Sequence, residues 1–201
     1  MTTLYLVRHG ESEANVRRVF SNGKLDLPLT DLGRRQARQT AAWLDGRGVA
    51  HVFSAPLLRA RQTAEIIAER LGAPVTVLQD LDEVRVGDLD ARDDDASWDV
   101  HAQVLARWYA GELDAAFPAG ETFRQALARF EAALREIARH HPVEAVAAVT
   151  HGAIQLTVLP RLCPTIDASA RTLPNVALTT LELSPDGLAC SLWGSTAHLA
   201  G

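Results

Sequence analysis

The stretch Leu4-Tyr5-Leu6-Val7-Arg8-His9-Gly10-Glu11-Ser12 passes from a short apolar run straight into charged and polar groups. Residues 4–7 suit a short buried strand, and functional groups rather than a plain turn follow its end. The passage recurs twice. Residues 49–54 lead into Ala55-Pro56-Leu57-Leu58-Arg59, and residues 145–149 lead into Thr150-His151-Gly152. In an open parallel sheet, ligands sit beyond the carboxyl ends of the strands. With these three strands side by side, Arg8, His9, Arg59 and His151 gather at one rim. Two imidazoles and two guanidiniums suit a dianionic tetrahedral group such as phosphate. Gly10 and Gly152 let the backbone come close, and helix N-termini after these turns add N–H donors.

The rest of the chain alternates between strand and helix patterns. Thr30 reads as the N-cap of a helix over 30–44, stopped by Gly46 and Gly48. Pro56 falls in the first turn of the next helix, whose stripe is Ala60, Ala64, Ile67 and Leu71 and whose end is Gly72. Residues 75–78 form a third strand. Thr122 and Gln125 make a capping box for a long helix with Phe123, Leu127, Phe130, Leu134 and Ile137 on one face. A fourth strand over 145–149, a helix over 152–159 and an edge hairpin follow. The hairpin pairs 178–183 with 188–193 around Pro185-Asp186-Gly187. This alternation predicts an α/β fold with a largely parallel sheet. Without internal repeats or a Gly/Ser linker, residues 1–201 are expected to form one domain.

Composition excludes several classes. A chain of 201 residues, 47% hydrophobic and 22% charged, is globular and long enough to bury a core without staples. A net charge of −5 argues against nucleic acid and anionic membrane as partners. No apolar run approaches the ~20 residues of a membrane span. The start, Met1-Thr2-Thr3-Leu4, lacks the features of a signal peptide. Cys163 and Cys190 stand far apart and outside metal-ligand spacing. A cytoplasmic protein is expected. Residues 83–101 break the periodicity and carry Asp88, Asp90, Asp93, Asp94, Asp95 and Asp99. They read as a solvated acidic loop leading into a helix, without an EF-hand pattern. Trp98, Trp108 and Tyr109 either line a leaving-group pocket or pack a helix, and Arg61 reads as a surface ion-pair residue.

Arg8-His9-Gly10-Glu11-Ser12, with Asn15, resembles the signature of the histidine phosphatase superfamily, the phosphoglycerate mutase-like group. The resemblance continues through Gly23-Lys24-Leu25-Asp26-Leu27-Pro28-Leu29-Thr30 and Gly33, then Ser54 and Arg59-Ala60-Arg61-Gln62-Thr63-Ala64. It extends to Leu81-Asp82-Glu83 with Gly87, Pro118-Ala119-Gly120-Glu121-Thr122, His151-Gly152 and Asn175. One departure stands out. Where relatives commonly carry a Trp-Glu-Gly-like stretch after Gly87, this chain has Asp88-Leu89-Asp90-Ala91.

The resemblance implies a three-layer α/β/α sandwich around a mostly parallel sheet, with a variable substrate-facing insertion at about 84–122. It implies a phosphomonoester phosphatase acting on a small phosphorylated metabolite, with no metal or other cofactor. His9 would attack phosphorus and form a phosphohistidine. Arg8, Arg59 and His151 would hold the equatorial oxygens, with Asn15 and the Gly152 N–H completing the cradle. Glu83 would protonate the leaving alkoxide and then deprotonate water. Ser21, Asn22, Gly23 and Lys24 would border the substrate, Lys24 within reach of a second anionic group. Two rival readings are a phosphoglycerate mutase and a phosphate-ester-binding relative without turnover. Substrate identity, and monomer against homodimer, are left open by the sequence.

Overall fold

The computed structural model describes residues 1–184 and 187–200. In chain order the elements are β1 (Thr2–Arg8), α1 (Glu13–Arg17), α2 (Asp31–Leu44), β2 (Val49–Ser54), α3 (Leu58–Leu71), β3 (Val75–Val77), α4 (Asp95–Tyr109), α5 (Phe123–His140), β4 (Ala145–Thr150), α6 (Gly152–Leu162), β5 (Leu178–Ser184) and β6 (Gly187–Ser195). One six-stranded sheet runs in the order β3-β2-β4-β1-β5-β6. The strands β3, β2, β4 and β1 are parallel, and β5 and β6 add an antiparallel edge. The α/β class and the mostly parallel central sheet are as the sequence predicts. The edge hairpin is also present, although Pro185 and Asp186 at its turn lie outside the described residues.

Register decides where the side chains of the rim fall. Arg8 pairs with Thr150 across β1 and β4, and Ser54 pairs with Val149 across β2 and β4. The carboxyl ends of all three strands therefore finish level, with β4 in the middle. The helices pack in pairs, α2 against α3 and α5 against α6. The core between these layers includes Leu4, Leu6, Val52, Ile67, Phe130, Ile137, Ala147 and Ile154, each fully buried.

Local signals set the helix ends. Thr30 Oγ1 accepts from Gly33 N at 3.0 Å. Thr122 and Gln125 form the reciprocal capping box that opens α5. Gly72 closes α3 in the left-handed region, φ 62°. Two expectations shift. Pro56 precedes α3 instead of sitting in its first turn, because Leu57 is the N-cap. The helix α6 runs past 159 to Leu162 and contains Pro160. No helix among the described residues is long and apolar enough to cross a membrane.

Candidate active site

The level strand ends bring His9 and His151 together, their ring centroids 5.1 Å apart. His9 N donates to the Thr150 carbonyl at 2.9 Å, one ladder bond beyond the end of β1. The His9 carbonyl in turn accepts from Val176 N and from Asn175 Nδ2. Val176 makes that approach from φ 53°, a left-handed conformation unusual for a β-branched residue. Such local strain is kept where surrounding structure holds it in place.

Both nitrogens of the His9 ring have a partner. Nδ1 lies 2.7 Å from the Gly10 carbonyl, which requires Nδ1 to carry the proton. Arg59 Nε donates to His9 Nε2 at 3.1 Å, so Nε2 presents its lone pair. His9 is buried and stands between two guanidiniums. Burial first, then the charges of Arg59 and Arg8, hold its pKa well below the ordinary histidine value, with the Gly10 carbonyl opposing them. The ring is neutral at physiological pH.

His151 is fully buried, and neither of its ring nitrogens has a hydrogen-bond partner within the protein. Its pKa is also held well below the ordinary value, by burial first and then by Arg59, His9, Arg8 and Arg129. Arg8 Nε is likewise buried and unpartnered, while its Nη1 donates to the Leu173 carbonyl. Arg59 is anchored through Nη1 to the Ser21 carbonyl at 2.9 Å. Two cations, a neutral imidazole with open donor or acceptor positions and a neutral His9 ring with its Nε2 lone pair therefore stand together at the strand ends. Buried polar atoms left without partners are costly. A tetrahedral oxyanion provides acceptors for them.

The two glycines act differently. A Cβ at Gly152 would stand 3.2 Å from Arg8 Nε, so Gly152 makes room for that guanidinium. A Cβ at Gly10 would stand 2.5 Å from the Gly33 carbonyl, and one at Gly33 only 1.9 Å from that of Glu11. Gly10 thus serves a close backbone crossing with α2. Asn15 Oδ1 accepts from Ser12 N at 3.0 Å and from Asn175 Nδ2 at 3.2 Å, tying α1 to the segment beside His9.

Glu83 lies against the start of α6. Its Oε1 accepts from Ile154 N at 2.8 Å and from Val84 N at 2.9 Å, and its Oε2 from Ala153 N at 3.1 Å. Those α6 N–H groups, expected to face an anion, are occupied by this carboxylate. Asp82 is its neighbour in space as well as in sequence. Asp82 Oδ1 is 3.7 Å from His151 Nε2. Burial raises the Asp82 pKa to about 6 and the Glu83 charge adds to this, against the Glu83 N–H and Arg129.

Residues 21–24 border the cradle, and the acidic stretch holds them there. Asp90 is not solvated: its two oxygens accept from Asn22 N and Lys24 N, each at 2.8 Å. Asn22 Oδ1 accepts from Val86 N at 3.2 Å. Gly23 and the Lys24 side chain are exposed. Ala91, at φ 71°, turns the chain so that its N–H reaches the Phe20 carbonyl. Arg61 also departs from expectation, since its Nε is buried without a partner and no ion pair forms among the described residues.

The aromatic residues divide. Trp98 packs on Phe20 at 4.1 Å and donates to the Arg18 carbonyl, while Trp108 is 1% exposed and donates to the Ala115 carbonyl. Both pack α4. Tyr109 carries the Arg171 guanidinium over its ring at 4.4 Å. Two residues to which the sequence assigns no role also hold the site: Thr63, whose Oγ1 accepts from Gly10 N, and Arg129. Arg129 had a legible signal: it sits three residues after Ala126 and four before Ala133 on the buried face of α5. Among the described residues, no three His, Cys, Asp or Glu side chains group as metal ligands.

Comparison with known proteins bears on the fold and the family. The chain is 30% identical over 203 residues to phosphoglycerate mutase-like protein 4 of Arabidopsis thaliana, a match covering 98% of this chain and 86% of that protein. Its fold is similar to that of YhfR from Bacillus stearothermophilus, with a TM-score of 0.87 at 27% identity, covering 99% of this chain and 100% of that one. It is also similar to mycobacterial glucosyl-3-phosphoglycerate phosphatase Rv2419c, with a TM-score of 0.79 at 25% identity and coverage of 96% and 99%. The family profile of the histidine phosphatases matches residues 4–196. With that match spanning nearly its whole length, the chain belongs to the histidine phosphatase superfamily, branch 1.

Proposed function

We propose that the protein is a phosphomonoester phosphatase acting on a small phosphorylated metabolite through a phosphohistidine, without a metal. The observation that carries this reading is the state of His9. Its tautomer is fixed by the Gly10 carbonyl, its Nε2 presents a lone pair that accepts from Arg59 Nε, and its ring is neutral beside two guanidiniums. A neutral nitrogen with an aimed lone pair is what nucleophilic attack requires.

In the first step a P–N bond forms at His9 Nε2 as the P–O bond to the leaving group breaks, and Glu83 gives that oxygen a proton. In the second, water attacks phosphorus, the P–N bond breaks and Glu83 takes the proton from water. Arg8, Arg59 and His151 face the equatorial oxygens, where charge collects in a loose transition state. Arg59 leaves the His9 lone pair as its guanidinium turns to the phosphoryl group. Asn15, Ser21, Asn22, Gly23, Lys24 and Gly152 border the bound ester. Two guanidiniums supply the charge that a metal supplies in other phosphohydrolases. The similarity to a mycobacterial phosphatase supports hydrolysis. The mutase-like name of the plant relative keeps phosphoryl return to an acceptor as the second reading.

The test is hydrolysis of p-nitrophenyl phosphate and a panel of metabolite esters in excess EDTA, comparing wild type with His9→Ala. Metal-independent phosphate release that vanishes in the variant is expected. Isomerisation of 3-phosphoglycerate with a bisphosphate primer, without net release, selects the mutase.

A further inference from the structure

The segment over residues 80–85, which presents Asp82 and Glu83, is gripped from outside the cradle by one nearly buried ion pair. Arg129 on α5 and Glu121 just before it have side chains only 9% and 5% exposed. Arg129 Nε donates to Glu121 Oε2 at 2.9 Å and Nη2 to Glu121 Oε1 at 2.7 Å. Its remaining N–H groups reach the acid segment. Nη1 donates to the Asp80 carbonyl at 3.0 Å and to that of Asp82 at 2.8 Å, and Nη2 to that of Glu83 at 2.9 Å. A guanidinium has five N–H donors, and all are used. Glu121 Oε1 also accepts from Arg85 N at 2.8 Å, and Glu121 N donates to the Arg85 carbonyl at 2.9 Å.

The fit here is close. A Cβ at Gly120 would stand 2.3 Å from the Arg85 carbonyl, and one at Gly87 2.2 Å from that of Pro118. From the cradle side the same segment is held by Thr150 Oγ1, which donates to the Leu81 carbonyl at 2.5 Å, and by the α6 contacts of Glu83. A buried ion pair adds little stability over well-packed apolar residues of similar size. Stability alone does not account for a pair whose three spare donors all go to the segment over 80–83, two of them to the residues carrying the two carboxyls.

We infer that Arg129 and Glu121 are positioning residues, a clamp that sets where the Asp82 and Glu83 carboxyls stand relative to His151 and the departing oxygen. The inference rests on the reading of Glu83 as proton donor. A displaced donor matters most when the leaving group needs its proton. Clamp variants therefore lose turnover selectively on poor leaving groups, whereas loss of a pair that only stabilises the fold lowers the folded fraction and so reduces activity by the same factor on all substrates.

The experiment measures kcat for wild type, Arg129→Lys, Arg129→Gln, Glu121→Gln and Glu83→Gln across aryl and alkyl phosphates of rising leaving-group pKa, with circular dichroism to establish folding. A general acid contributes about 10²- to 10⁴-fold. The clamp variants are expected to lose about 10- to 100-fold on alkyl phosphates and less than about threefold on p-nitrophenyl phosphate, with KM little changed. Arg129→Lys, which keeps the charge but not the fork, should fall between wild type and Arg129→Gln. If Glu83→Gln steepens the leaving-group dependence but every folded clamp variant keeps the wild-type slope, the clamp inference fails alone. If Glu83→Gln itself shows no dependence, the proton-donor reading fails and the inference with it. Failure of all three clamp variants to fold also overturns the inference, since the pair is then a stability element.

Discussion

The cradle of histidines and arginines and the acid segment face each other across a few ångströms, yet they are assembled on different principles. The cradle is built on strand ends. His9 and His151 follow β1 and β4 directly, and the register Arg8–Thr150 brings them level without any long side-chain contact. The acid segment, by contrast, has little regular structure, only short 3-10 turns at Gln79–Leu81 and Gly87–Leu89. It is held by side chains that reach backbone groups far away in sequence. The histidines and arginines of the cradle sit on or beside rigid elements, while the two carboxyls sit on a segment pinned at a few points. Damage to the first should abolish chemistry and spare the fold. Damage to the second should disturb both.

The largest expected effect tests the first half of that contrast. His9→Ala removes the proposed nucleophile from a strand end that its neighbours already hold. Turnover should fall by several orders of magnitude, with a melting temperature close to wild type. Steady-state assay and thermal denaturation of the same sample check both.

Asp90→Ala tests the second half. It leaves the N–H groups of Asn22 and Lys24 without their acceptors, at a cost of about 1–3 kcal/mol. Because Ser21 in the same turn anchors Arg59, KM should also rise several-fold. Urea denaturation and steady-state kinetics read the two consequences. A stability loss with unchanged KM would show that the turn does not transmit to the cradle.

Two titrations sharpen the comparison further. His101 packs between Phe20 and Phe117, and burial lowers its pKa to about 4. The native state keeps it neutral while the unfolded chain takes up a proton below about 6.5. Its contribution to stability is thus complete above about 6.5 and is lost as pH falls towards 4, by up to about 3 kcal/mol. His101→Phe should reduce the destabilisation seen on acidification. Asp82 runs the other way. With its folded pKa raised to about 6, its contribution is present below the unfolded value near 4 and is lost as pH rises through 6. Asp82→Asn should therefore be the more stable protein at pH 7, by up to about 2 kcal/mol, with the advantage gone near pH 4. Thermal melts from pH 4 to 7 check both variants.

The smallest effect is at Ala91, held at φ 71°. Ala91→Gly relieves a left-handed conformation but adds unfolded-state entropy. A net gain of up to about 1 kcal/mol is expected in urea denaturation, with unchanged turnover.

The same contrast explains what could be read from the sequence. The strand ends, the capping box at Thr122 and the cradle residues were legible because their determinants are local. The His9 tautomer, for instance, depends on the adjacent Gly10. Arg129 acts on carbonyls 46 to 49 positions away, and Asp90 on N–H groups 66 and 68 positions away. No periodicity encodes such partners. Asp90 read as one more solvated aspartate because its neighbours Asp88 and Asp93 share its composition but not its burial. Arg61 read as a surface residue for the same reason, since only the folded packing takes its Nε out of water.

The isolated His151 ring has a thermodynamic consequence. Its neutral form is favoured because burial and three neighbouring guanidiniums act on it together. A phosphate dianion set against Nε2 would oppose that balance and favour the imidazolium. On this reading an oxyanion enters together with a hydrogen ion drawn from solution. Calorimetric titration of the protein with inorganic phosphate, in buffers of different ionisation enthalpy, would then report proton uptake close to one per site. Affinity for the product would weaken as the medium becomes more alkaline, so alkalinity would hasten its departure.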